Sequence, residues 1–255
     1  MTLPRSLGSL LAGALATALS GTLTAAAAFL APAQAQSLIQ GLEAALNSSN
    51  GTALAALLEA GPGFDPELLQ RRHQALRSRF PDLRWQLSPG TPLRDGRSTV
   101  QVQVSGQRRE GPFTYQLQGE QLVVLRSSGG RLSGQEVIRE STILRSGDPN
   151  LKVSLLIPDA VLTGQRYDVD AVFDDPLNGA VVAGGIAAVS PAQVASFESP
   201  ELELGALGGG GLFKTVQAPF NPGEQTWAML LVHPNGLVSA TKRVRVVASK
   251  AQLNP

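Results

Sequence analysis

Near Pro81 the hydrophobic period of this chain changes, and the change restricts it to architectures in which helices come first and an antiparallel sheet follows. Before that point apolar residues recur every three or four positions: Leu38, Ile39, Leu42, Ala45 and Leu46, then Leu54, Leu57 and Leu58, then Leu68, Leu69, Ala75 and Leu76. This spacing predicts three short helices, each with one apolar face. Asn47-Ser48-Ser49-Asn50-Gly51 and Gly61-Pro62-Gly63 separate them. Asp65 ahead of Pro66 and Glu67 predicts a capped start for the third, because an Asp oxygen accepts the first free amides and proline needs no donor there.

After Pro81 the period is two. Val100, Val102 and Val104 alternate with Thr99, Gln101 and Gln103; Phe113, Tyr115 and Leu117 alternate with Thr114, Gln116 and Gln118. A meander with one wet face follows, turning at Arg94-Asp95-Gly96, Gln118-Gly119-Glu120 and Ser128-Gly129-Gly130, with a last strand near 137–144. Its apolar face must be covered by the helices. Ser146-Gly147-Asp148-Pro149-Asn150 reads as a linker, and beyond it only strands are expected, at 152–157, 167–173, 181–189, 201–204, 212–217, 226–232 and 237–247. Seven short strands suggest a sandwich, and Asn235-Gly236 is a strong hairpin signal.

The expected fold class is therefore α+β: a helix-covered curved sheet over 36–147, then an all-β sandwich over 148–255. Helices followed by Phe80-Pro81-Asp82-Leu83-Arg84-Trp85, a strand, a charged turn, two long strands and Ser128-Gly129-Gly130-Arg131-Leu132 resemble the SnoaL-like branch of the NTF2-like superfamily. That resemblance implies a cone of three helices on a curved sheet, a family of cyclases, isomerases and non-catalytic dimerising modules, and pocket candidates Trp85, Tyr115, His73 and Arg139. Catalytic relatives often carry an inward His or Asp on the second long strand and the last one. This chain has Gln107-Arg108-Arg109-Glu110 and Arg139-Glu140-Ser141 there, so no catalytic residue is assigned, and Asp82 is read as fixing the strand entry. The rear half resembles bacterial immunoglobulin-like domains in architecture.

Residues 1–35 carry Arg5 as their only charge, followed by an apolar run that ends in Ala33-Gln34-Ala35, as in a secretory signal cleaved after Ala35. A retained anchor is the alternative, since the run approaches spanning length. An exported chain without cysteine has no disulfides and depends on its core. The expected location is periplasmic or extracellular, with no stable membrane insertion after cleavage.

Of 21 basic and 20 acidic residues, the segment after 35 keeps 20 of each. Such balance excludes a protein that tracks nucleic-acid phosphates. Thirteen arginines and no lysine fall in 36–147, and Arg71, Arg72, Arg108 and Arg109 are candidates for an anion-binding face. With His73 and His233 the only histidines and no cysteine, no zinc site and no cofactor are expected. Asp168 and Asp170 read as solvated strand residues, leaving Asp174 and Asp175 as a marginal calcium rim. No nucleophile elbow occurs, and the Gly208–Gly211 run lacks the context of a phosphate loop.

These features predict an exported, non-catalytic binding or interaction protein. Its partner would be a protein or a small apolar ligand, with a homodimer through the front half as one arrangement and Gln101, Gln103, Gln116 and Gln118 as its polar face. The alternatives are a SnoaL-like isomerase, cyclase or ligand binder using an interior pocket, and an envelope assembly factor or chaperone working by edge pairing.

Overall fold

The computed structural model describes residues 32–196 and 198–255, so residues 1–31 of the expected 1–35 secretory signal lie outside the described residues. Helix α1 spans Pro32–Asn47, α2 spans Gly51–Ala56 and α3 spans Pro66–Arg79. Asn50 caps α2 by accepting from Thr52 N, and Asp65 Oδ1 caps α3 by accepting from Glu67 N and Leu68 N at 2.9 and 3.0 Å. Strands β1 (Arg84–Pro89), β2 (Val100–Glu110), β3 (Phe113–Ser128) and β4 (Arg131–Gly147) form an antiparallel meander.

Then follow β5 (Val153–Leu156), β6 (Ala160–Leu162), β7 (Arg166–Asp168), β8 (Asp170–Phe173) and β9 (Ala183–Val189). Helix α4 spans Pro191–Ser196, and β10 (Gly205–Ala206), β11 (Gly211–Leu212), β12 (Thr215–Gln217), β13 (Gly223–His233) and β14 (Gly236–Val247) complete the chain's strands.

The expected pair of bodies, an α+β cone and a separate all-β sandwich, does not form. Fourteen strands stand against four α-helices among the described residues, and one sheet of nine strands crosses the point where the linker was expected. Its order is β1-β2-β3-β4-β14-β13-β9-β10, with β6 added in parallel beside β14. The cause lies in β4, which continues to Gly147 and pairs with β14 from Ser141↔Lys242 to Gly147↔Gly236. Gly147 makes that closeness possible: its φ is +98°, and a Cβ there would lie 2.3 Å from the Asn235 carbonyl oxygen.

Four local expectations are corrected as well. Gln118-Gly119-Glu120 is not a turn; β3 runs through it with Gln118 and Glu120 outward and Gly119 inward opposite Val104, where a Cβ would meet Val104 Cγ1 at 2.6 Å. The 167–173 strand divides at Val169 between two small sheets, β12-β7 and β11-β8-β5. Residues 201–204 form no strand. A helix, α4, occupies the rear half where only strands were expected, packing Val194 with Val189 and Ala228.

Two cores lie on opposite faces of the large sheet. On one face, α1–α3 bury Leu42, Leu54 and Leu69 against Trp85, Val102 and Leu117. On the other, the small sheets bury Tyr167 and Ala171 against Trp227, Met229 and Val238. Alternation along β4 connects them: Leu144 belongs to the first core, and its neighbour Ile143 packs on the second. Opposite the helices, the face of β1–β4 is left open, with Gln103, Gln116 and Gln118 exposed.

Candidate functional site

Edge protection explains why the first helix sits where it does. β1 is a terminal strand, and its outer amides and carbonyls would otherwise be unpaired. Asn47 accepts from Trp85 N at 2.9 Å and donates to Trp85 O at 2.8 Å, while Glu43 Oε2 accepts from Leu87 N at 2.7 Å. At the other end β10 is two residues long. The β1 end of the large sheet is therefore closed to strand pairing, whereas at the other end β10 covers only Ala183 and Gly184 of β9.

The interior beneath the helices is almost filled. A cavity of about 40 Å³ remains, lined by Leu54, Leu69, Trp85, Val102, Gln121 and Leu132 among others. This is space for a few waters and well below a ligand pocket. His73 is buried, its ring tilted against Trp85 at 6.1 Å, with Nε2 2.7 Å from Leu46 O. Because a carbonyl only accepts, Nε2 carries the proton. Burial lowers the His73 pKa, and the Arg77 charge adds to this against the pull of that carbonyl. Both Arg77 and His73 donate to Leu46 O, closing the last turn of α1.

Of the four pocket candidates, only Trp85 lines this cavity. Tyr115 lies beneath Arg108, whose Cζ is 5.0 Å from the ring centroid, and burial raises its hydroxyl pKa. Arg139 is exposed and pairs with Leu122, on the face turned away from the helices, so its assignment to a pocket is corrected. A β-bulge at Leu122/Val123 makes that part of β4 hard to phase from sequence.

A polar row, buried except at its last member, crosses the sheet on the helix side. Gln121 Nε2 donates to Glu140 Oε1 at 2.7 Å, Arg243 Nε donates to Glu140 Oε2 at 2.7 Å, and Arg243 Nη1 donates to Glu224 Oε1 at 2.8 Å. These residues come from β3, β4, β14 and β13 in turn, and α3 adds buried Arg72. Burial, with Arg243's like charge, pushes Arg72 down to about 10 against the attraction of Glu140. Burial also opposes the charged Arg243, but Glu140 and Glu224 overcome it and raise its pKa. Burial raises the Glu140 carboxyl against Arg243 and Gln121. With both its oxygens accepting short hydrogen bonds, geometry favours the ion pair at neutral pH. Gln121, Glu140 and Arg243 are buried and Glu224 reaches solvent at the β13 end, so the row joins the halves and opens only at that end.

The expected anion face of Arg71, Arg72, Arg108 and Arg109 is divided by the fold. Arg71 pairs with Asp65 and Glu67 on the outside of α3, whereas Arg72 points inward. Arg79, at the end of α3, joins Arg108 and Arg109 instead. Together with Asp82 and Glu110 they line an open groove of about 490 Å³ between the α3–β1 turn and the end of β2. Asp82 Oδ1 accepts from Gln107 N at 2.6 Å and fixes one wall. Arg108 lies over Phe80 and Tyr115 and approaches Glu110 Oε2 at 3.1 Å. Burial and then the neighbouring Arg108 charge lower the Arg79 pKa.

Among the described residues no group of three or more His, Cys, Asp or Glu side chains is placed to hold a metal ion, and no helix is long and apolar enough to cross a membrane. Asp168 accepts from Thr215 Oγ1 at 2.6 Å and Asp170 from Lys214 N at 3.1 Å. Residues 148–247 match a family model described as a domain of unknown function (DUF8623). No curated protein matches the chain.

Proposed function

We propose that this is an exported, non-catalytic binding protein whose recognition surface is the arginine-lined groove between α3 and the β2–β3 hairpin. One observation carries the reading: the apolar interior retains about 40 Å³, while the groove opens about 490 Å³ to solvent and is lined by Arg79, Arg108 and Arg109. A volume of that size accommodates a short chain segment or a small ligand. Export is supported by the charge-poor, apolar segment ending at Ala35.

A panel of neutral, anionic and cationic fragments titrated into the ¹⁵N-labelled protein tests this. Shifts gathered at Arg79, Asp82 and Gln107–Glu110 support the groove. Shifts confined to residues around the inner cavity, such as Leu54 and Leu132, would overturn it in favour of an interior ligand site.

A further inference from the structure

Independently of the groove, we infer that the outer face of the three-stranded β11-β8-β5 sheet is a second recognition surface, fitted to an extended segment in which one arginine stands between apolar side chains. Alternation decides which residues form this face. Leu155, Ala171 and Leu212 turn to the second core, so Leu156, Asp170 and Val172 turn outward. Phe213 joins them. A Cβ on Gly211 would lie 2.6 Å from Val172 Cγ1 and 3.1 Å from Phe213 Cζ, which places both side chains over that glycine. Leu156 is 58% and Phe213 64% exposed, and apolar surface gathered on one side of a sheet marks a contact site.

Asp170 stands between these two side chains. It lies directly opposite Leu156 on β5, and its Oδ1 accepts at 3.1 Å from the amide of Lys214, the residue after Phe213. Its Oδ2 has no partner among the described residues. The Lys214 ammonium lies 5.5 Å from the centroid of the core residue Trp227 and makes no ion pair with Asp170 among the described residues. The other cations of this side stand at its two ends: Arg166 beyond Asp168, and Lys152 beside Asp174, whose amide donates to Lys152 O at 3.1 Å. The centre of the face is therefore apolar and negative.

That combination selects a cation on an apolar stem. A guanidinium donates to Asp170 Oδ2 while its plane rests on the Phe213 ring, and its methylenes cover Leu156. Neighbouring strands lie about 4.8 Å apart, so Leu156 and Phe213 are roughly 10 Å apart across Asp170. Alternate side chains of an extended segment are about 6.6 Å apart, so a segment crossing the strands sets its arginine over Asp170 and an apolar residue at each side. A lipid surface fits less well, because it would strip water from Asp170 without pairing it.

The experiment titrates acetyl-Leu-Ser-Arg-Ser-Leu-amide and its citrulline counterpart, which keeps the shape of arginine without the charge, into the ¹⁵N-labelled protein. The arginine peptide is expected to move the amides of Leu156, Asp170, Val172, Phe213 and Lys214. It should bind about tenfold more tightly than the citrulline peptide, the ratio for an exposed ion pair combined with an exposed cation–π contact. Asp170→Asn keeps the Oδ1 acceptor for Lys214 N and should remove most of that preference. Phe213→Ser, at an exposed position, should weaken both peptides.

Equal binding of the two peptides, or a preference that survives Asp170→Asn, would overturn the inference. Shifts gathered at Arg79, Asp82 and Gln107–Glu110 instead would overturn it in favour of the groove as the peptide's site. Movement of the same face amides on simple dilution would overturn it in favour of a second copy of this chain. Their broadening by phosphatidylcholine vesicles, with no response to either peptide, would overturn it in favour of a lipid surface.

Discussion

Glu140 and Arg243 meet across the β4–β14 pairing with Oε2 2.7 Å from Nε, 103 positions apart in sequence and both sealed from solvent. Removing one partner leaves a buried charge without its counterpart. Arg243→Met is expected to cost about 3–5 kcal/mol in urea unfolding. The double variant Glu140→Leu, Arg243→Met keeps the cluster neutral and should lose less than the single one. A double variant that loses the sum of both singles would show the two side chains to be uncoupled.

Asn47→Ala leaves Trp85 N and O on the rim of β1 without their partners. The expected loss is about 1–3 kcal/mol, together with self-association, because the strand edge becomes available to another chain. Thermal unfolding reports the first effect and sedimentation velocity the second. A destabilised but strictly monomeric variant would show that Glu43 alone closes the edge.

His73 sets a pH dependence. Its pKa is depressed in the folded protein, so the unfolded chain takes up a proton first as pH falls. The stabilisation is complete above about pH 6.5 and declines below it, by up to ~1.4 kcal/mol per pH unit, until the folded pKa is reached. Urea midpoints at pH 7.5 and 5.5 measure the decline. His73→Gln retains a donor for Leu46 O but has no proton to gain, so its curve should be flatter over that range.

Gly119→Val tests whether β3 needs a close approach at its centre. The added Cβ meets Val104 Cγ1 at 2.6 Å, and overpacking of this kind costs about 1–3 kcal/mol. Gly119→Val paired with Val104→Ala should recover part of the loss in the same denaturation assay.

Much of the local structure could be read from the residues themselves. Asp65-Pro66 marks a helix start because the cap and the missing proline donor act within one turn, and Asn235-Gly236 marks a hairpin because the turn conformation is local. The join between halves had no such signal. Ser146-Gly147-Asp148 reads as a linker by composition, and nothing near Ser141 indicates that Lys242 lies beside it. The turn expected at Gly119 failed because a glycine between two polar residues looks the same in a bend and in a strand with one wet face. Helix α4 is six residues long, too short to show a period. Arg79 was missing from the proposed anion set because only the fold carries the end of α3 to the end of β2.

Sharing one sheet between two covers has a kinetic consequence. Residues 141–147 gain their second neighbour only when 236–242 arrives, so completing the sheet requires closure of a loop of roughly 90 residues, a slow, entropy-limited event. Until then the last seven residues of β4, Ser141–Gly147, stand with an open outer edge. The interval between collapse of the front meander and docking of the last hairpin is when this protein is most exposed to aggregation, and chaperone assistance should act there.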